Sequence, residues 1–140
     1  MLQKGATSLW ETFLSEPNNS LNHHFFGDIS NWFITKVGGI TVNPYRKNPN
    51  EVHIKPNFIS ELSYAHAYYT TPAGKVDVKW ERADDDIILT ILSPEEVTGK
   101  IILPSGYEFV TQKEFVMERK NLDRMRETAL KEGCYTICKI

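Results

Sequence analysis

From residue 21 the large apolar side chains fall at Leu21, Phe25, Phe26, Ile29, Trp32, Phe33 and Val37. Spacings of three and four put them on one stripe of a helix. Asn19 or Ser20 can cap its start, because a short polar side chain accepts from the first unpaired N–H groups. Gly38 and Gly39 can supply the left-handed turn that ends it. Gly27 costs a helix interior about 1 kcal/mol relative to alanine, which marks a close contact there.

Beyond Gly39 the period changes to two. Residues 40–42 form a short apolar run that stops at Asn43-Pro44, and residues 51–55 alternate Val52 and Ile54 with His53 and Lys55, as a half-buried strand does. Residues 62–71 are rich in tyrosine and end in the turn sequence Thr71-Pro72-Ala73-Gly74. Val76, Val78 and Trp80 then alternate with Asp77, Lys79 and Glu81, the cleanest two-residue period in the chain. Asp84-Asp85-Asp86 reads as a polar turn before a strand over 87–92, with another strand over 99–103. Residues 107–115 add a strand or hairpin. Short strands with turn signals at this spacing predict an antiparallel β-sandwich. Residues 118–132 change character again. They are dense in charge and helix formers, with Leu122, Met125, Ala129 and Leu130 as a narrow stripe and Glu127–Lys131 as an i,i+4 pair. This predicts a surface helix stopped by Gly133.

The chain has 140 residues, 41% of them hydrophobic and 24% charged, with a net charge of −2. This is the balance of an ordinary globular domain with a real core. It excludes a general polyanion binder, which needs clustered positive charge, so no nucleic-acid partner is expected. No apolar run approaches the roughly 20 residues that span a bilayer, and the first residues lack the pattern of a secretory signal. The expectation is a cytoplasmic protein with no membrane partner. Cys134 and Cys138 have no second Cys/His pair nearby and read as reduced thiols. His24 and Asp28 stand four apart, but two ligands make a weak site, so no metal and no cofactor are expected.

The aromatic residues leave two readings open. Trp32 and Trp80 lie on apolar stripes and suit a core. Tyr64, Tyr68 and Tyr69 are ordinary strand residues or a platform for a carbohydrate. His23 and His24 are a polar edge at a helix start or a sugar contact.

Three strings, taken in order, carry a family resemblance. They are Gly5-Ala6-Thr7-Ser8-Leu9-Trp10-Glu11; Asn19-Ser20-Leu21-Asn22-His23 with Phe26-Gly27 and Trp32; and Gly38-Gly39-Ile40 leading to Val52-His53-Ile54-Lys55-Pro56. The stretch from Ala65 through Gly74-Lys75-Val76 to Trp80, and Ile101-Ile102-Leu103-Pro104-Ser105-Gly106, continue it. Over residues 5–110 the chain resembles the end of bacterial α-L-rhamnosidases, glycoside hydrolases of family 78. The resemblance implies a mainly β chain: a jelly-roll-like antiparallel sandwich, preceded by a helix from an (α/α)6 barrel and followed by a C-terminal helix. It implies barrel residues over 1–39, the sandwich over 40–117 and a helical tail over 118–140. It also implies inverting hydrolysis of terminal α-L-rhamnosides, in which one carboxyl protonates the leaving oxygen and a second, roughly 6.5–9.5 Å away, activates water. By resemblance Glu11 is the general base, His23 contacts the rhamnose ring, and Trp10 covers the apolar side of the sugar. No residue matches the family's general-acid motif, so this stretch alone is expected to be inactive. Its implied partners are a rhamnose-containing glycan in the full-length context, and either self-association or a chain that supplies the rest of the barrel. The alternative is a non-catalytic carbohydrate-binding or structural sandwich module.

Overall fold

A computed structural model describes residues 27–110 and 126–140. The chain divides into two units, Met1–Phe33 and Ile34–Ile140. In the first, α1 (Gly27–Trp32) runs directly into a π-helical turn over Phe33–Val37 that crosses the division. Among the described residues no helix is long and apolar enough to cross a membrane.

Among the described residues, two sheets make up the strands of the second unit. β1 (Ile40–Thr41), β2 (His53–Ile54), β6 (Lys100–Ile102) and β8 (Glu127–Ala129) form the smaller one in the order β1-β2-β6-β8. β3 (Tyr64–Thr71), β4 (Gly74–Ala83), β5 (Asp86–Leu92), β7 (Tyr107–Phe109) and β9 (Gly133–Lys139) form the larger in the order β3-β4-β5-β9-β7. Pairing is antiparallel except between β2 and β6, which run parallel with Ile54 opposite Ile101.

The two-residue period sets what each sheet buries. Ile40, Ile54 and Ile101 line one face of the small sheet; Val76, Val78, Trp80, Ile87, Leu89, Ile91 and Ile137 line one face of the large sheet; all are buried. The indole N–H of Trp80 donates to the Val37 carbonyl at 2.9 Å, and the ring meets Phe58 edge-on at 5.6 Å. Such a bond is needed when an indole leaves water completely. Trp32, also on an apolar stripe, is 48% exposed in α1 beside Phe33 and Ile29. Apolar spacing alone therefore does not place Trp32 in a core.

The left-handed turn expected after the first helix is present at Gly39, with φ +80°. A Cβ there would lie 2.5 Å from the Pro56 nitrogen. This close approach lets the Gly39 carbonyl accept from Lys55 N–H at 2.6 Å, which closes the β1–β2 pair. Arg82 pins the segment before β3: its Nη2 donates to the carbonyls of Phe58 and Ile59 and its Nε to that of Leu62. Phe58 itself holds φ +46° with its ring buried.

The tail is a correction. Residues 118–125 lie outside the described residues, but the rest of the expected helical tail is strand and turn. β8 pairs with β6 through Ile101 opposite Thr128, and β9 enters the large sheet between β5 and β7. Glu127 pairs with Lys100 rather than Lys131. Leu130 is buried and its N–H donates to the Gly99 carbonyl at 2.9 Å. Helix propensity amounts to a few tenths of a kcal/mol per residue, and burial with ladder hydrogen bonds overrides it.

Candidate functional site

Glu11, His23 and Trp10 lie outside the described residues, as does His24. The structure therefore brings none of them into a described geometry. Asp28, the potential partner of His24, is exposed on α1.

Within the sandwich unit, polar side chains gather on the outer face of the large sheet. The β3–β4 register puts Tyr64 opposite Glu81, His66 opposite Lys79 and Tyr68 opposite Asp77. Asp77 accepts from Lys75 Nζ at 2.7 Å and is bonded to His66 Nε2 at 2.6 Å. The Lys75 ammonium sits 5.2 Å from the Tyr68 ring centre, within cation–π range. Lys79 and Glu81 pair at 2.6 Å. Beside them a shallow depression of about 370 Å3 is lined by Ser63, Tyr64, Lys79, Glu81 and Arg82. Tyr69 faces the other way and packs on the core. On the small sheet, His53 Nε2 lies 3.1 Å from Glu51, and Lys100 bonds Glu127. A larger open cleft of about 580 Å3 lies along Pro94, Val97, Gly99, Leu130 and Lys131.

The electrostatics decide what these groups can do. The Lys75 ammonium holds the Asp77 carboxyl below its usual range, with His66 adding to the effect against partial burial. Lys100 does the same for Glu127, and the Ser60 hydroxyl for Glu61. A general acid in glycoside hydrolysis needs a raised pKa so that it still carries its proton at neutral pH. These three carboxyls are moved the other way and suit charge pairing or hydrogen-bond acceptance. Cys134 and Cys138 stand four apart on β9, about 13 Å along a strand, too far for a disulfide.

Residues 41–117 match the family described as the bacterial alpha-L-rhamnosidase C-terminal domain, and residues 1–37 match the bacterial alpha-L-rhamnosidase 6 hairpin glycosidase domain. The chain belongs to the bacterial α-L-rhamnosidase family. An α-L-rhamnosidase of Alteromonas sp. (strain LOR) is 29% identical over 96% of this chain, and one of Streptomyces avermitilis is 26% identical over 76%. The chain spans only 15% and 11% of those relatives. The α-L-rhamnosidase structure from Dictyoglumus thermophilum superimposes on 99% of the chain with a TM-score of 0.65 and 24% identity. The Streptomyces avermitilis enzyme complexed with L-rhamnose covers 97% with a TM-score of 0.63 and 23% identity. The chain thus corresponds to the C-terminal region of α-L-rhamnosidases: the end of the six-hairpin domain, then the sandwich.

Sequence reasoning named the tyrosines of β3 but missed the polar partners on β4. The signal was present. If Thr71-Pro72-Ala73-Gly74 is a tight turn, Thr71 faces Gly74, and counting back sets Tyr68 against Asp77 and Tyr64 against Glu81.

Proposed function

We propose that this chain supplies the base side of an inverting α-L-rhamnosidase, with Glu11 as general base, His23 on the rhamnose ring and Trp10 against the apolar side of the sugar. The observation that carries the proposal is the order of the two family matches, hairpin domain then sandwich, with the three family strings in sequence across them. Inversion needs a base and an acid on opposite faces of the sugar. Glu11 supplies one carboxyl; the acid belongs to helices of the barrel that these 140 residues do not contain. On this reading the chain alone does not turn over rhamnosides, and its substrate, a rhamnose-containing glycan, is met only together with the remaining barrel helices.

The test is release of p-nitrophenol from p-nitrophenyl α-L-rhamnopyranoside. The purified chain alone is expected to match the buffer rate. Co-expressed with a polypeptide that carries the upstream barrel helices, it is expected to gain activity that Glu11→Ala removes. Turnover by the chain alone that Glu11→Ala abolishes would overturn the claim of inactivity. Co-expressed activity indifferent to Glu11→Ala would remove Glu11 from the mechanism.

A further inference from the structure

We propose that the outer face of β3 and β4 is a binding surface for a neutral oligosaccharide. Tyr64 and Tyr68 are 62% and 60% exposed on the same face of one strand. They stand about 13 Å apart along it, with His66 between. That span suits a short oligosaccharide rather than a single sugar. Large exposed aromatic rings are costly to leave in water, and the C–H face of a pyranose is a surface that can cover them.

The polar groups define the chemistry further. Lys75 and Lys79 are balanced by Asp77 and Glu81, each cation on a neighbouring carboxylate. These four β4 side chains therefore sum to no net charge that would attract a phosphate chain or a polyuronate. Lys79 and Glu81 are each about half exposed, at 46%, so donors and acceptors remain free beside the Tyr64 ring. An ammonium offers three donors and a carboxylate only acceptors. Side by side they match the vicinal hydroxyls of a sugar, which donate and accept at once. Ser63 and the depression shared by Tyr64, Lys79, Glu81 and Arg82 give one end of the surface a concave seat. A protein partner fits less well, because interface centres are depleted in charge and here the charged row of β4 runs beside the tyrosines.

Affinity electrophoresis of the whole chain tests the proposal, in gels containing neutral galactomannan, neutral xyloglucan or anionic polygalacturonate. Retardation is expected in at least one neutral gel. Tyr64→Ala with Tyr68→Ala should weaken it by more than about fivefold, the least expected from losing anchoring aromatic contacts. Tyr64→Phe with Tyr68→Phe should keep most of it, and an unchanged far-UV spectrum shows that each variant is folded. Glu11→Ala should leave retardation unchanged, which separates this surface from the catalytic reading. No retardation in either neutral gel, retardation by polygalacturonate alone, or retardation that survives the double alanine variant each overturns the proposal.

Discussion

Replacing Trp80 by phenylalanine tests how the sandwich is tied to the turn that precedes it. Trp80 is fully buried, and its N–H satisfies the Val37 carbonyl at 2.9 Å. Phenylalanine keeps most of the edge contact with Phe58 but removes the donor, and Val37 is itself only 6% exposed. A buried carbonyl left unpaired costs about 1–3 kcal/mol. The smaller ring leaves a void on the order of 40 Å3, which at about 24 cal/mol per Å3 adds about 1 kcal/mol. The expected loss is therefore about 2–4 kcal/mol, a large share of the 5–15 kcal/mol typical of a domain. Urea unfolding followed by far-UV circular dichroism measures it, with Trp32→Phe as the exposed control, expected within about 0.5 kcal/mol of the parent. A Trp80→Phe midpoint indistinguishable from the parent's would refute the reasoning, since it would mean that neither the bond nor the fit of the indole contributes.

Two further outcomes follow from the same geometry. Gly39→Ala forces a Cβ into φ +80° and against Pro56 backbone, so thermal unfolding should show a loss of at least about 2 kcal/mol. Asp77→Asn should change how stability depends on pH. The folded carboxyl titrates below its ordinary value, so its contribution is present above about pH 4 and fades as pH falls through the lower folded value. The parent and Asp77→Asn should therefore differ in urea midpoint at pH 7 and converge near pH 2. An equal gap at both pH values would mean that the Lys75–Asp77–His66 pairing contributes nothing through charge.

Legibility in the sequence followed the range of the forces involved. β4 and β5 could be read because a two-residue period with a polar Asp84-Asp85 turn is local, and Ala83 does face Asp86 across it. The parallel contact of Ile54 with Ile101 joins residues far apart in the chain, and no local pattern announces it. The tail misled because its charges satisfy a helix in isolation, whereas Lys100 and the Gly99 carbonyl, distant in sequence, capture Glu127 and Leu130. For the candidate catalytic residues, the motif Gly5-Ala6-Thr7 to Glu11 was legible only through family likeness. The proposed role of Glu11 requires a second carboxyl, and no spacing within this chain specifies one.

The position of β9 has a consequence for how the unit assembles. It is the last of the described strands along the chain, yet it lies inside the larger sheet with β5 on one side and β7 on the other. Until residues 133–139 have left the ribosome, β7 has no neighbour in its sheet and β5 presents an open edge carrying Ile87, Leu89 and Ile91. A nascent chain paused just short of that point holds the β3-β4-β5 stack with the backbone edge of β5 unpaired. The interval before residues 133–139 emerge is when the open edge of β5 is most exposed to mispairing.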